Sequence, residues 1–490
     1  MPSISPKRVI YVPAGRNIWL DLVRYLHNDG VIEPVLWIGD GRHDVAAKRE
    51  FPNAEVCGFR KMTLLRHVPS CAYDGAFADF WASPDLSKTR DHAIKLMDRT
   101  ERLGPRRGAD REAHFVQLCL WAMERIASTR ADMVLMAESP HSAPTYVLYA
   151  VARFAGLETV VCSAWSLVPV ATVRRDLWGA DVPLSTMTLR HADERARLVA
   201  RHDQAIRDYV ARFANPEAYE FEPRYMKIQA GRLPTSSGVA RVMQAVRNKS
   251  LEVLRWVAFF PTFAKTRLRR ALRKRAVETI PDGPYVYFPL HFEPERTTNP
   301  DGGAFHDQLR ALARLRALVP AHFKILVKEH PSQFNGRMRG HLGRTSRFYA
   351  AAQAIEGVHL LSETASSPVL TLGAQAVATI TGTVALEAAL LGRPALVFGA
   401  PWFVGCPNVV QFDETLTWSD ICGGQIATRD NIEEWLLDKL HTDTLPLCIN
   451  PSNEKFFSDT YAEGGAQAEW EARILADVIE AMLALDPPSV

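Results

Sequence analysis

Two short polar segments follow apolar, strand-like runs in the second half of the chain, and their residue types suit phosphate binding. The first is Thr381-Gly382-Thr383, which opens a helical pattern that ends at Gly392 and Pro394. N–H groups of a first helical turn lack intrahelical partners, hydroxyls add donors, and glycine allows close approach. We therefore predict a phosphate-binding turn at 381–383. The alternative is that Thr383 only caps a core helix.

The second polar segment is Lys328-Glu329-His330. It ends the strand-like run 324–327, which predicts a buried strand that Pro331 prevents from simply continuing. Ligands of open α/β sheets bind outside the carboxyl ends of the strands. We therefore expect Lys328 and His330 to join the threonine turn in one binding site.

The first half of the chain offers a different chemistry. Glu138 and His141 follow the predicted strand 132–137, and a carboxylate beside an imidazole can serve as general base or acid. The alternative is that Glu138 caps the next helix and His141 is a solvated loop residue. Arg16 follows the predicted strand 9–14 and is a candidate for phosphate contact, or else for a surface ion pair.

Composition limits the class of protein. The 490 residues, 47% of them hydrophobic, predict two α/β domains, and a net charge of +3 gives no global signal for nucleic acid. Seven cysteines without a C-x-x-C pair or a His/Cys metal spacing predict reduced thiols, no disulfides and no zinc. We recognise no signal peptide and no transmembrane segment in the sequence pattern, and we therefore expect a cytoplasmic protein.

The alternation of strand-like and helical segments positions these polar residues. It predicts right-handed βαβ units and parallel sheets in both halves, so that the polar segments lie at strand ends. We predict a Rossmann-like domain at 1–183, a helical connector at 184–280, a second Rossmann-like domain at 281–460, and a helix at 461–490 that packs across the domain junction.

The connector contains an aromatic and basic segment. Its aromatic residues are followed at once by seven basic ones; the set comprises Trp256, Phe259, Phe260, Phe263, Lys265, Arg267, Arg269, Arg270, Arg273, Lys274 and Arg275. Such a segment can lie on an anionic bilayer surface, which predicts peripheral attachment to the inner membrane. A core helix with a solvated basic extension explains the pattern equally well, and RNA binding is a third alternative.

Four segments of the second half resemble bacterial capsule and surface-polysaccharide biosynthesis proteins. They are Tyr-Val-Tyr-Phe-Pro-Leu-His-Phe-Glu-Pro-Glu at 285–295, Asp-Gln-Leu at 307–309, Val-Lys-Glu-His-Pro at 327–331, and the stretch 380–394 around the threonine turn. The resemblance implies a glycosyltransferase of the GT-B architecture, in which two Rossmann-like domains face a cleft. The family includes capsule-type Kdo transferases that use CMP-Kdo.

That resemblance also implies roles for individual residues. The family's His-Pro pair corresponds to His330-Pro331, whose imidazole contacts the donor phosphate, and its hydroxyl turn corresponds to 381–383. A downstream glutamate corresponds to Glu387, a partner for the ribose hydroxyls. Because the family turn often has two adjacent hydroxyl residues, Thr-Gly-Thr leaves the choice of nucleotide more open than the phosphate site.

The expected reaction moves a sugar from a nucleotide-sugar donor to a capsular or surface polysaccharide or its lipid-linked acceptor. Glu138 is the first candidate for the base, beside His141, and the alternatives are Glu293 and Glu295. We expect no cofactor and no metal. Expected partners are the donor, the acceptor, the inner-membrane surface and capsule assembly proteins, and no nucleic acid.

Two rival functions remain open from the sequence. A nucleotide-sugar 2-epimerase shares the GT-B form and a similar glycine-containing turn, but it converts the donor without an acceptor. A non-catalytic component of a capsule assembly or export complex would bind membrane but no donor.

Overall fold

The computed structural model describes residues 5–65, 67–72, 75, 77–100, 108–215, 260–335, 338–457 and 465–484. The chain divides into two compact units. Unit 1 comprises Met1–Met97, Gly108–Tyr209 and Glu433–Val490, and unit 2 comprises Asp98–Arg107 and Val210–Ile432. Among the described residues, no helix is both long enough and apolar enough to span a bilayer.

Unit 1 contains a six-stranded sheet with helices on both faces. Its strands are β1 Lys7–Val12, β2 Ile32–Gly39, β3 Glu55–Gly58, β4 Met133–Met136, β5 Glu158–Ala164 and β6 Ala171–Arg174. Their order is β3-β2-β1-β4-β5-β6, and all neighbours are parallel except β5 and β6. The strand order therefore reverses between β1 and β4, the topological switch point of a Rossmann-like sheet.

Most of the unit 1 helices up to Ala211 lie between these strands in the chain, and two follow the last strand. They are α1 Ile18–Asn28, α2 Asp44–Glu50, α3 Phe59–Thr63, α4 Ala78–Ala82, α5 Pro84–Met97, α6 Gly108–Thr129, α7 Ala143–Phe154, α8 Ala192–Ala200 and α9 Asp203–Ala211. Side chains of β1 alternate between two cores: Val9 and Tyr11 pack with α1, whereas Ile10 packs with α6 and α7. Burial on both faces explains why the strand sequences are almost continuously apolar.

Unit 2 repeats the same topology with an all-parallel sheet. Its strands are β7 Tyr285–Pro289, β8 Lys324–Lys328, β9 Val358–Leu361, β10 Ala376–Thr379, β11 Ala395–Val397 and β12 Val409–Gln411. Their order is β12-β11-β10-β7-β8-β9, so the switch point lies between β7 and β10. The predicted α/β fold class with two Rossmann-like sheets is confirmed. The short edge strands β6 and β12 were not predicted.

The remaining helices follow in chain order. They are α10 Phe260–Arg273, α11 Gln308–Leu318, α12 Gly340–Gly343, α13 Ser346–Gln353, α14 Ser367–Gly373, α15 Val384–Leu390, α16 Trp418–Cys422, α17 Arg429–Asp443, α18 Pro451–Phe456 and α19 Gly465–Ala484. Of the predicted helical connector, α8, α9 and α10 are described, whereas residues 216–259 lie outside the described part of the chain.

The chain returns to unit 1 after Ile432. Leu445 forms an antiparallel bridge with Ala171 of β6, and the indole N–H of Trp19 donates to the carbonyl of Ile449 at 2.7 Å. The last helix, α19, buries Ile474 and Val478 in the core that also contains α1. Residues 433–460, predicted to belong with the second sheet, thus group with the first, because these backbone and core contacts are made there.

Arg16, a predicted phosphate ligand, lies within this C-terminal attachment. Its guanidinium is 2.7 Å from the carboxylate of Glu471, 3.3 Å from that of Glu454 and 2.5 Å from the carbonyl oxygen of Cys448. The side chain of Glu471 has no solvent exposure. These contacts give Arg16 a structural function in holding the C-terminal segment, and a phosphate contact remains an untested prediction.

Replacing Glu471 by alanine is expected to lower the free energy of unfolding by about 3–5 kcal/mol, because it leaves the buried Arg16 guanidinium without its buried partner. Glu454→Ala is the matched control. It removes the other carboxylate of Arg16, which is 46% exposed, and is expected to cost less than about 1 kcal/mol. Urea unfolding measures both values. If both variants lose the same free energy of unfolding, burial of the pair of Arg16 and Glu471 does not account for its contribution to stability.

Candidate functional site

The candidate site lies at the carboxyl edge of the unit 2 sheet. Strand β7 lies between β10 and β8, so the segments that follow these three strands are neighbours. Those segments begin at residues 290, 380 and 329. Because the strand order reverses between β7 and β10, this edge is where an open parallel sheet forms a ligand-binding crevice.

His291 follows β7 and contacts the end of β10. Its Nε2 lies 3.0 Å from the hydroxyl of Thr379 and accepts the backbone N–H of Thr381 at 3.3 Å. The proton of the neutral ring is therefore on Nδ1, which has no hydrogen-bond partner among the residues described. Burial, with smaller effects of His330 and Arg344, lowers the pKa of His291 to about 3.

His330 has the opposite tautomer. The backbone N–H of Ser332 donates to its Nδ1 at 3.1 Å, so the neutral ring carries its proton on Nε2. Pro331 keeps His330 in an extended conformation and starts a short 3-10 turn, which brings Ser332 back to the ring. Burial first, then Lys328 and Arg344, lower the pKa of His330 to about 4. At neutral pH both histidines are uncharged N–H donors.

A buried ion pair holds the segments that carry these histidines. The guanidinium of Arg344 donates to both carboxylate oxygens of Glu329, at 3.0 and 3.2 Å, and neither side chain has solvent exposure. Tyr349 donates its hydroxyl to the same carboxylate at 2.6 Å. Arg344 also donates to the backbone carbonyl of His291 at 2.9 Å. One arginine therefore ties the segment after β7 to the end of β8.

Glu293, an alternative candidate for the catalytic base, belongs to this scaffold. Its carboxylate accepts from the amide of Gln308 at 2.7 Å and lies 3.7 Å from Arg344. Its backbone N–H donates to Gln333 at 3.0 Å, and the residue is 3% exposed. These contacts favour a structural role. Glu295, the other alternative, is exposed.

Lys328 is buried at the end of β8 without a carboxylate partner. It is 6% exposed, and its ammonium donates to the hydroxyl of Ser367 at 2.7 Å. Tyr287 donates to the same hydroxyl at 3.2 Å. Among the described residues, no carboxylate lies within 4.0 Å of the ammonium. Burial lowers the pKa of Lys328 to about 8, so the side chain remains mostly charged at neutral pH.

The threonine turn follows β10, as predicted. Thr381 uses its hydroxyl to donate to the carbonyl of Thr297 at 2.6 Å, which holds the segment after β7 against the turn. A Cβ at Gly382 would lie 2.8 Å from the Thr379 hydroxyl and 3.5 Å from His291, so this close approach requires glycine. Thr383 makes no side-chain cap; its hydroxyl lies 3.4 Å from the carboxylate of Glu387.

Glu387 lies on α15 and is 8% exposed. Burial first, and then the charge of Glu387, raise the pKa of the Tyr287 hydroxyl. The structure thus brings together the predicted residues of unit 2, namely Lys328, His330, Thr381, Gly382, Thr383 and Glu387.

Glu138 and His141 lie in unit 1, in the segment after β4 at its own switch point. The two side chains approach to 4.0 Å, and Asn450 donates to Glu138 at 2.9 Å. Nδ1 of His141 lies 2.9 Å from the carbonyl of Ser139, so Nδ1 carries the proton and Nε2 is the basic nitrogen. The pair can therefore accept a proton. Arg16 is bound to the C-terminal segment instead.

Sequence reasoning missed three residues of the site. His291 could have been found, because it follows a predicted strand just as His330 does. Arg344 and Ser367 had no signal of that kind. Arg344 lies 15 residues after its partner Glu329, and Ser367 lies 39 residues after its partner Lys328. Only the fold brings the two members of each pair together.

Comparison with protein families identifies this region. Residues 266–407 match the family model described as Capsule polysaccharide biosynthesis protein. The match covers the site residues of unit 2 and confirms the resemblance found in the sequence. None of the curated proteins matches the chain at a significant level.

Solved structures give weaker likenesses. KpsC, beta Kdo 2,7 transferase, from Thermosulfurimonas dismutans is 11% identical, with 70% of this chain and 85% of that chain covered and a TM-score of 0.27. A putative UDP-N-acetylglucosamine 2-epimerase from Listeria monocytogenes is 12% identical, with 99% of both chains covered and a TM-score of 0.22. Similarity at this level supports no argument about activity.

Replacing Arg344 by methionine is expected to lower the free energy of unfolding by about 3–5 kcal/mol, because Glu329 then remains as an unpaired buried carboxylate. Arg347→Met is the matched control, since Arg347 is an exposed arginine three residues further along the chain, on α13, and is expected to change stability by less than about 0.5 kcal/mol. Chemical denaturation measures both variants. If Arg344→Met loses no more free energy of unfolding than the removal of an exposed ion pair does, the pair of Arg344 and Glu329 does not anchor these segments.

Proposed function

We propose that this chain is a glycosyltransferase of capsule or surface-polysaccharide biosynthesis that takes its sugar from a nucleotide-sugar donor. The observation that carries the proposal is the buried ammonium of Lys328, which has no carboxylate partner among the described residues. Buried charges in proteins are normally paired. An anionic ligand, such as the phosphate of a nucleotide sugar, would supply the missing charge.

The neighbouring groups suit a phosphate. Lys328 acts electrostatically on His330, so the two side chains are close, and the tautomer of His330 makes its Nε2–H a donor. His291 offers its Nδ1–H. A charged ammonium with neutral N–H donors can bind a phosphate without the mutual repulsion of several cations.

These groups act on the leaving group in the proposed reaction. The bond between the anomeric carbon of the sugar and the phosphate oxygen breaks, and its electron pair stays on the phosphate. The acceptor hydroxyl oxygen bonds to the anomeric carbon and loses its proton to a base. Lys328 and His330 stabilise the charge that develops on the phosphate, as preorganised donors do in low-dielectric sites.

For the base we propose Glu138, with His141 as the neighbouring alternative. Asn450 donates to the carboxylate of Glu138 at 2.9 Å, and the basic Nε2 of His141 lies 4.0 Å from it. The donor suggested by the family resemblance is a CMP-linked sugar such as CMP-Kdo. The proposed acceptor is a growing polysaccharide or its lipid-linked form.

We also propose that the exposed face of α10 binds the inner-membrane surface. Phe263 is 68% exposed, and Arg267, Arg270 and Lys274 are exposed with it. The opposite face is part of unit 2, where Lys265 and Leu268 are buried. Trp256, Phe259 and the side chain of Phe260, which belong to the predicted membrane segment, lie outside the described residues.

Lys328→Met is expected to weaken nucleotide-sugar binding by about 10- to 100-fold, because it removes a hydrogen bond between charged groups worth about 1.5–3 kcal/mol. Lys324→Met, at the other end of β8, is the matched control and should bind normally. Affinity of the unmodified chain should also fall as pH rises through about 8, where Lys328 loses its proton. Calorimetric titration with CMP-, UDP- and GDP-sugars measures these effects. Unchanged affinity and pH dependence in Lys328→Met would exclude the phosphate site.

Glu138→Gln is expected to lower sugar transfer by about 100- to 10,000-fold while leaving donor affinity unchanged, because general base catalysis contributes that much. Asp132→Asn, at the opposite end of β4, is the control. Transfer assays with and without acceptor measure turnover. If only His141→Gln abolishes transfer, His141 is the base, and if neither variant does, the proposal fails. Conversion of the donor without acceptor would favour an epimerase.

Reversing Arg267, Arg270 and Lys274 to glutamate is expected to abolish binding to anionic vesicles, since each basic residue near such a surface contributes about 1 kcal/mol. Co-sedimentation with anionic and neutral vesicles measures binding, and Arg347→Glu serves as a control for an exposed arginine elsewhere in unit 2. Equal binding to both vesicle types would contradict the electrostatic part of the proposal.

A further inference from the structure

The hydroxyl of Ser367 occupies an unusual position between two donors. The ammonium of Lys328 donates to it at 2.7 Å, and the phenol of Tyr287 donates to it at 3.2 Å. A serine hydroxyl can accept two hydrogen bonds and donate one. Both acceptor positions of Ser367 are therefore used, and its own hydrogen is left to donate.

The two bonds have the same direction, towards the oxygen of Ser367. An ammonium group can only donate. Tyr287 is fully buried, and its phenol is the donor in its bond to Ser367. Among the described residues, the hydroxyl of Ser367 donates no hydrogen bond of its own.

Ser367 is the most exposed of these three residues. Tyr287 and Lys328 come from the adjacent strands β7 and β8 and are buried, whereas Ser367, the first residue of α14, is partly exposed. His330 is close enough for its protonation to respond to Lys328. The hydroxyl of Ser367 thus links the buried charge of Lys328 to a residue that is partly exposed.

We propose that Ser367 is a ligand-binding residue, whose hydroxyl donates to the same oxyanion that Lys328 binds. The oxyanion is a phosphate group, and this inference rests on the proposed function in taking that phosphate to belong to the donor. Tyr287 is a positioning residue, because its bond to the oxygen of Ser367 fixes the direction of the serine hydrogen. The family resemblance gave no role to either residue.

A purely structural role makes different predictions. If Ser367 only links β7, β8 and α14, its loss would lower stability and leave phosphate affinity unchanged. If it binds the oxyanion, its loss lowers phosphate affinity even at pH 6.5, below the pKa of about 8 at which Lys328 loses its charge. Lys328 also loses its hydrogen-bond acceptor, so its charged form is less stable and binding declines at a lower pH.

The test compares Ser367→Ala, Ser367→Thr and the neighbouring Ser366→Ala in the full chain. Ser366 is the matched control, because its hydroxyl accepts from Val369 and caps the same helix but does not contact Lys328. The probes are inorganic phosphate, CMP and UDP, titrated by calorimetry from pH 6.5 to 9.5. Thermal unfolding monitors folding, and Ser367→Cys replaces Ser367→Ala if the latter does not fold.

We expect Ser367→Ala to lose about tenfold or more in affinity for each bound probe, as for a hydrogen bond to a charged group. Its binding should also decline at a lower pH than in the unmodified chain. Ser367→Thr, which keeps the hydroxyl, and Ser366→Ala should remain within about threefold of normal, and each such result supports the proposal. Normal affinity and pH profile in Ser367→Ala, or an equal loss in Ser366→Ala, would overturn it.

The same titrations separate this inference from the proposed function. If phosphate binding depends on Ser367 but no nucleotide sugar is turned over, the binding role stands and the glycosyltransferase proposal fails. If sugar transfer occurs and Ser367→Ala binds donor normally, the proposed function stands and the role of Ser367 is wrong. If none of the probes binds the unmodified chain, the role of Ser367 is wrong, and the titrations with nucleotide sugars then decide the proposed function.

Discussion

The geometry of the unit 2 site depends on the buried ion pair between Arg344 and Glu329. Removing two charges from water is costly, and further hydrogen bonds offset part of that cost: Tyr349 donates to the carboxylate, and Arg344 also donates to the carbonyl of His291. The pair thereby connects the segments after β7 and β8, each of which carries a histidine. Gln333, which exchanges two hydrogen bonds with the backbone of Glu293, joins the same two segments.

Arg344 and Lys328 differ in the partner that faces their charge. Both cations are buried, but Arg344 has a carboxylate partner, whereas Lys328 has a neutral hydroxyl and no carboxylate in the described part of the chain. The nearby histidines do not add positive charge, because burial lowers their pKa to about 3 and about 4. Lys328 thus keeps a charge that an anion can neutralise, and the histidines contribute direction. One charged lysine with two neutral histidines can face an anion without repulsion between neighbouring cations.

The sequence predicted the fold class and the strand ends well, because parallel strands and their ends are local patterns. Lys328, His330 and the threonine turn could be placed at strand ends for that reason. The contacts of Arg344 and Ser367 could not be predicted, since they join residues distant in the chain. The attachment of residues 433–484 to unit 1 was missed for a similar reason: the apolar face of α19 predicts that the helix packs, but not which sheet it packs near.

The two units carry complementary chemistry on the same topology. Each sheet has its switch point beside its first strand, and each has polar residues in the segments that follow the switch strands. In unit 1 these are Glu138 and His141, which can accept a proton. In unit 2 they include Lys328 and His330, which can bind an anion. Glycosyl transfer needs both capacities, since the acceptor must lose a proton while the phosphate gains charge. A chain that only binds an anion does not need the proton acceptors of unit 1. Proton acceptance alone does not explain the anion-binding residues of unit 2.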